Sequence, residues 1–486
     1  MTLVSEPDVT DRPVPDAGAF DVVVIGAGPA GEVLAGRCAA GGLAVAAVEA
    51  ELAGGECSYW GCIPSKTLIR PGDVIAAARR VPGAAEAVTG PIDVARALAR
   101  RDEMTSGWDD EGQVAWLEGA GVRLVRGVGR LAAERVVEVT SGESPPRRLE
   151  ARRAVVLATG TGPAIPPIPG LAEVEPWDNR SVTSMPQVPG RLLVLGGGTI
   201  GVEMAQAVKR LGADAVTVIE GAPTLMAREE PFVGEELRAA LEAEGIGVVT
   251  GATVSALSRD GRSGDVVATV DDGRTFAGDE ILVAVGRVPK TADLGLEVVG
   301  LAPGRYVDVD DRCRASGVPG AWLYAVGDCN GRALLTHMGK YQARLAADVI
   351  LGRDPCTGPD DAGPAVDRDM VPRVTFTDPQ VAAVGLTERQ ARERGVTVRT
   401  VRVGLEDTAG ASTSGTGVRG SAFVVVDEER RVVVGATFTG PGVQELLHSA
   451  TVAVVGEVGL DRLWHAVPSF PTLSEVWLRL LEAYGL

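Results

Sequence analysis

Aromatic residues make up only 4% of this 486-residue chain, and basic side chains are outnumbered, 47 Lys and Arg against 65 Asp and Glu. So few rings argue against an aromatic-lined groove. The net charge of -18 repels nucleic acid and anionic membrane surfaces, so neither is expected as a partner. No apolar run approaches the ~20 residues needed to span a bilayer. The opening segment MTLVSEPDVTDRPVPDAGAF has neither a basic n-region nor an apolar h-region. Residues 1–19 therefore read as a short disordered leader on a cytoplasmic protein. The 6 cysteines are too few for a structural disulfide framework in so long a chain. Glycine is abundant, at 63 residues, and alanine with it. That composition suits close helix–sheet packing and ligand sites lined by backbone.

At roughly 100–200 residues per domain the chain has room for about three. Val22 to Ile25 reads as a strand, Gly26-Ala27-Gly28-Pro29-Ala30-Gly31 as a turn, and a helix continues to about Ala40. Gly41-Gly42 ends the helix, and a second strand runs from Ala44 to Glu49. The same unit recurs as the strand Arg191 to Leu195, the turn Gly196-Gly197-Gly198-Thr199-Ile200-Gly201, the helix Val202 to Leu211 and a strand ending at Glu220. In such a unit the first glycine permits the tight turn and the second lets backbone approach a pyrophosphate. The third lets the helix pack close to the strand. The helix N-terminus offers N–H groups and a positive dipole end to phosphate. Glu49 and Glu220 end the second strands at the roughly 20-residue offset at which an acid takes ribose hydroxyls. Two copies imply two dinucleotide sites. A carboxylate at Glu220 disfavours a 2′-phosphate, which favours NADH over NADPH.

Cys57 and Cys62 sit in GGECSYWGCIPSKTLIRP, just after the first unit. A thiolate at Cys62 is favoured if that residue opens a helix, and thiol–disulfide exchange needs such a thiolate. Zinc is the rival, but it wants four ligands and no second pair of suitable spacing or nearby His is present. Two inert core cysteines are the plain alternative. Cys38, Cys313, Cys329 and Cys356 stand alone and read as buried filler.

Taken in order, GAGPAG, GGECSYWGCIPSK, LATG, GGGTIG with Glu203, AVGRVP, YAVGDCNG with LLTH, PRVTFTDPQVAAVGLTE and FPTLSE make the chain resemble the pyridine-nucleotide disulfide oxidoreductase family. The likeness covers nearly the whole length and is nearest to the dihydrolipoamide dehydrogenase and mercuric reductase branch. It implies an α/β chain with two Rossmann-like dinucleotide-binding domains and a C-terminal α+β dimerisation domain. The expected divisions are an FAD-binding domain at 20–165 and 286–355, an NAD(P)-binding domain at 166–285, a linker from Asp354 to Asp369, and a dimerisation domain at 370–486 that makes a homodimer. It also implies roles. Gly26, Gly28, Gly31, Glu49, Gly160, Asp328 and His337 would serve FAD. Gly196, Gly198, Gly201, Glu220 and Gly286 would serve the nicotinamide nucleotide. Lys66 and Glu203 would pair near the flavin. Cys62 would face the flavin, and Cys57 would exchange with substrate.

The chain departs from the family in two places. A His-Pro-Thr-x-x-Glu run is expected near the C-terminus, and here it reads Phe470-Pro471-Thr472-Leu473-Ser474-Glu475. Glu475 keeps the acid, but phenyl cannot transfer a proton, and a general base contributes about 10²–10⁴-fold. Dihydrolipoamide oxidation should then be weak, with His465 the nearest imidazole. The tail EAYGL lacks the adjacent cysteines of mercuric reductase, which argues against mercury reduction. Tyr59-Trp60 between the cysteines either packs against the next helix or, with His465 and Phe470, shapes a pocket for a flat substrate. The first expectation is an NAD(P)H-dependent flavoenzyme acting on a small disulfide or dithiol. A quinone reductase using the flavin directly is the second, and a flavin-bearing structural subunit or redox sensor is the third.

Overall fold

The computed structural model describes residues 18–261, 264–353 and 365–486. Most of the expected leader, most of the expected 354–369 linker and Cys356 lie outside the described residues. The chain forms two compact units. One comprises the chain up to Cys62, Thr105–Gly162 and Arg287–Arg368. The other comprises Ile63–Met104, Pro163–Gly286 and Asp369–Leu486.

The first unit is built on a seven-stranded sheet. Val122–Arg126, Val45–Glu49, Ala19–Ile25 and Arg147–Leu157 lie side by side in parallel, with Leu323–Ala325 added along Arg147–Leu157. Val136–Thr140 and Val128–Ala133 extend the other edge antiparallel. Parallel strands buried on both faces need apolar side chains at every position. Val22, Val23 and Val24 accordingly are all 0% exposed. Their alternation feeds two cores. Val23 and Ile25 pack with Leu131, Leu149 and Leu296 on one face. Val22 and Val24 pack with Leu34, Cys38 and Ala346 of the helices Pro29–Ala40 and Thr336–Ile350 on the other.

The second unit holds a four-stranded parallel sheet in the order Ile246–Thr250, Ala215–Glu220, Arg191–Leu195, Glu280–Val283. A three-stranded antiparallel sheet, Val254–Arg259, Val266–Val270 and Thr275–Gly278, accompanies it. The same unit includes a five-stranded antiparallel sheet, ordered Arg373–Thr375, Gln380–Gly385, Val432–Gly440, Ser421–Asp427, Val398–Gly404. The helices Val443–Val455 and Val476–Tyr484 close over that sheet through Leu446, Leu447, Leu480 and Phe438.

The compact units do not follow the expected 20–165 division. Residues 63–104 group with the second unit because Leu68, Ile69 and Ala97 share one apolar core with Val202, Val208 and Leu211. Both expected βαβ units are present with their strands and helices at the anticipated places. The helix Thr199–Arg210 starts three residues earlier than the sequence pattern suggests, directly at the turn.

Candidate active site

Positive φ is required at the first glycine of each dinucleotide turn, +101° at Gly26 and +112° at Gly196. The third glycine is needed for close approach. A Cβ at Gly31 would lie 2.0 Å from the Gly26 carbonyl oxygen, and one at Gly201 2.0 Å from that of Gly196. The middle glycines behave differently. A Cβ at Gly198 would meet nothing within 4 Å, and at Gly28 only the Gly55 Cα at 3.9 Å. These positions bare the backbone towards open space at the start of a 12-residue helix, which is the cradle a pyrophosphate needs.

The two acids are held by backbone. Glu49 accepts from the N–H groups of Ala27 at 2.7 Å and Glu51 at 2.9 Å. Glu220 accepts from Gly197 at 2.5 Å and Ala222 at 2.7 Å. In the first unit, Thr159 Oγ1 and Glu32 Oε1 are buried without a protein hydrogen-bond partner. Burial, with Glu49 adding to it and Lys340 opposing it, pushes the Glu32 carboxyl up to about 7. A Cβ at Gly160 would also stand in open space. Orphaned polar atoms beside a bare glycine turn fit a large polar ligand such as FAD. Asp328 accepts from Thr161 Oγ1 at 2.8 Å and pairs with Arg287 at 3.3 Å. His337 is exposed, one residue into the helix Thr336–Ile350.

Cys57 lies in the short helix Gly55–Tyr59, and Cys62 opens the helix Cys62–Arg79, which meets the condition for a favoured thiolate there. The start of the first helix is fastened to the dinucleotide turn. Gly54 N–H donates to Ala27 O at 2.8 Å, and a Cβ on Gly55 would come within 2.9 Å of Gly28 Cα. The Cys57 thiol feels Cys62 as its nearest titrating neighbour, and Cys62 Sγ is 3.4 Å from Thr336 Oγ1. The interaction with Cys62, with burial behind it, pushes the Cys57 thiol well above its ordinary range, against a lowering contact from Thr336. At Cys62 the helix N-terminus favours the thiolate.

Lys66 Nζ donates to Glu203 Oε2 at 2.7 Å, as the motifs imply. The second oxygen of Glu203 accepts from the Phe376 N–H at 2.8 Å, and Lys66 sits 5.0 Å from the centre of the Phe376 ring. Thr336, Glu32, Phe376 and the Glu56–Lys290 ion pair at 3.2 Å were not singled out by the sequence reading. Phe376 lies inside the motif PRVTFTDPQVAAVGLTE, Thr336 inside LLTH and Glu56 inside GGECSYWGCIPSK, and those motifs were the available signal. Glu32 and Lys290 stand outside the motifs and carried none.

The four residues considered for a substrate pocket separate. Tyr59 is only 2% exposed, and its hydroxyl faces Asp109 O at 3.3 Å and Gln113 Oε1 at 3.1 Å. It is a packing residue, and the pocket expectation for it is corrected on that ground. Trp60 is half-buried, its ring 5.8 Å from that of Tyr59. His465 and Phe470 are exposed, Phe470 by 77%. Glu475 is buried and committed elsewhere, accepting from Ala409 N–H at 3.0 Å and from Arg479 at 2.9 Å. Among the described residues no group of three or more His, Cys, Asp or Glu is placed to hold a metal ion. No helix there is long and apolar enough to cross a membrane.

Two nucleotide cradles, one of them fastened to a thiol pair, define a flavin- and nicotinamide-dependent redox protein. Residues 20–343 match the pyridine nucleotide-disulphide oxidoreductase family model and residues 371–480 the dimerisation domain of the same family, so the chain belongs to it. Among its relatives, dihydrolipoyl dehydrogenase of Thermus scotoductus is 33% identical over 96% of this chain and 97% of its own length. Mercuric reductase of Staphylococcus aureus is 29% identical over 94% and 81%. Among solved structures, a Cu(II) complex of the HOCl-induced flavoprotein disulfide reductase RclA from Escherichia coli superposes with TM-score 0.81 at 26% identity, covering 96% of this chain and 99% of that one. LpdA from Mycobacterium tuberculosis superposes with TM-score 0.82 at 27% identity, covering 96% and 100%. The protein is a flavoprotein disulfide oxidoreductase dependent on FAD and a pyridine nucleotide, with a dimerisation domain.

Proposed function

We propose that the protein uses NADH to reduce a small-molecule disulfide, as a homodimer in the cytoplasm. The observation that carries this reading is the Cys57–Cys62 thiol pair, whose first helix is fastened to the Gly26–Gly31 turn through Gly54 and Gly55. FAD, when bound, supplies two-electron transfer between nicotinamide and sulfur. Gly26, Gly28, Gly31, Glu49, Gly160, Asp328 and His337 would hold it. Gly196, Gly198, Gly201, Glu220 and Gly286 would hold the nicotinamide nucleotide. The Lys66–Glu203 pair would set the charge beside the ring, as the family resemblance implies.

Cys57 attacks the substrate disulfide as a thiolate, its proton passing to Cys62 and then to the first thiol released. Cys62 then attacks the mixed disulfide at Cys57, closing the Cys57–Cys62 disulfide and releasing the second product as a thiolate, which takes a proton from water. Two electrons and one proton from NADH restore the Cys57 thiol and the Cys62 thiolate. The sum is NADH, a proton and a disulfide giving NAD⁺ and two thiols. The carboxylate of Glu220, already facing the turn, repels a 2′-phosphate and supports NADH as the donor.

The test is Cys57→Ser. NADH-dependent reduction of low-molecular-weight disulfides should fall at least ~10³-fold, while NADH reduction of a quinone or dye stays within about 3-fold. Disulfide turnover that survives Cys57→Ser would overturn the reading.

A second reading, direct transfer from flavin to a quinone, draws support from the C-terminal segment. Phe470 replaces the base, and the carboxylate of Glu475 is spent on Ala409 and Arg479. No acid–base pair is left there to assist a thiol substrate.

A further inference from the structure

We propose that Gln206 and Arg210 are positioning residues that set the Lys66–Glu203 ion pair. This rests on the functional reading of that pair given above. The helix Thr199–Arg210 is buried along most of its length, yet it carries three polar side chains, Glu203, Gln206 and Arg210, on one stripe at helical spacing. None of the three is idle. Glu203 spends one oxygen on Lys66 and the other on the Phe376 N–H. Gln206 grips the same loop two residues on, accepting from Asp378 N–H at 2.7 Å and donating to Asp378 O at 2.9 Å. Its amide also donates to Glu244 at 2.8 Å. Arg210 donates to Asp378 Oδ2 at 2.8 Å, to both oxygens of Glu244 at 2.6 and 2.8 Å, and to Asp73 at 3.4 Å.

Asp73 belongs to the same helix as Lys66, two turns further on. A Cβ at its neighbour Gly72 would stand 2.7 Å from Arg210 Cδ, so the Arg210 stem lies directly on that helix. The Lys66 helix is therefore pinned to the Glu203 helix at two levels. The loop that supplies the Phe376 amide and ring is pinned at three, by Glu203, Gln206 and Arg210. Arg80 also pairs with Asp378. Burial would raise the Asp378 carboxyl, but hydrogen bonding and charge from Arg210, with Arg80, hold it below the usual carboxylate range. Asp73, at 3.4 Å from Arg210, is the looser anchor, and burial pushes its carboxyl up to about 6 against Arg210. Through this frame, moving Arg210 or Gln206 moves Phe376, and Phe376 decides where both Glu203 and Lys66 sit.

The experiment compares Arg210→Lys and Gln206→Met in the full chain loaded with FAD. Hydrogen exchange at the Phe376 amide should quicken about 10-fold or more in each, with exchange in the strand Val432–Gly440 unchanged. Flavin reduction by NADH in a single turnover should slow about 10-fold, and that loss should shrink below about 2-fold when Glu203 is first changed to Gln. Unchanged Phe376 exchange, or equal losses with and without Glu203, would overturn the proposal. If Arg210→Lys does not fold, Gln206→Met decides alone. Disulfide turnover and Cys57→Ser test the underlying function separately, so a failure of either is recognisable.

Discussion

The two dinucleotide-binding helices start from the same glycine turn and end in opposite conditions. In Pro29–Ala40 the polar residue of the first turn, Glu32, is left with a buried oxygen lacking any partner, and Thr159 of the same unit has another. In Thr199–Arg210 each polar residue of the buried stripe is satisfied by protein. An unsatisfied buried acceptor costs roughly 1–3 kcal/mol, so a protein retains one chiefly where a ligand or water completes it. The first helix thus leaves polar capacity that the proposed cofactor site would use, whereas the second is also a structural frame. The difference lies in what surrounds the motif, since the glycines do the same work in both.

The harshest way to break this comparison is to close both turns. Gly31→Ala and Gly201→Ala each place a Cβ 2.0 Å from a backbone oxygen that cannot move cheaply. Each should lose about 3 kcal/mol or more in denaturant titration. Gly31→Ala should emerge without FAD, by absorbance. Gly201→Ala should keep the flavin and lose NADH binding. Loss of flavin from both would show that the two cradles are not independent.

Glu220→Ala sharpens the comparison of the two acids. The preference for NADH over NADPH, read as a ratio of kcat/KM, should exceed about 10-fold in the parent and fall to within about 3-fold in the variant. An unchanged ratio would remove Glu220 as the discriminating charge.

Glu32→Gln probes the orphaned oxygen. Its carboxyl is raised to about 7 in the folded chain, so folding penalises the ionised form. That penalty is absent below the ordinary carboxylate range and complete above about pH 7, and stability falls as pH rises between the two. The variant should therefore gain about 2 kcal/mol over the parent at pH 8, and little at pH 4, by thermal or urea unfolding. A parent whose stability is flat between those values would sink the assignment.

The smallest expected effect is that of Phe470→His. Restoring an imidazole should raise dihydrolipoamide oxidation by less than about 3-fold, because Glu475 is already held by Ala409 and Arg479 and cannot orient it. Full activity from this one change would show that the Glu475 bonds are easily exchanged.

Some of this was legible without coordinates. Alternating glycines after a β-branched run, an acid at the right offset and two cysteines before a helix start are local patterns, set by chirality, turn sterics and the helix dipole. They pointed to the two glycine turns and the thiol pair, whereas the Lys66–Glu203 pairing followed only from the family resemblance. The expected domain edges were legible only in part, because residues 63–104 group by where Leu68, Ile69 and Ala97 bury themselves. The outward or inward sense of Tyr59 was not legible either, since two adjacent aromatics fit a pocket or a core equally well.

The sequence by itself determined the chemistry: which atoms can carry electrons and where phosphates can rest, because those depend on residue type and short-range spacing. Tertiary structure alone decided which charges are satisfied. Arg210, Glu244, Asp73 and Asp378 are far apart along the chain, and Glu475 finds Ala409 only after folding. Electrostatic and hydrogen-bond energies depend on distances of a few ångströms between such residues, and only folding brings them that close.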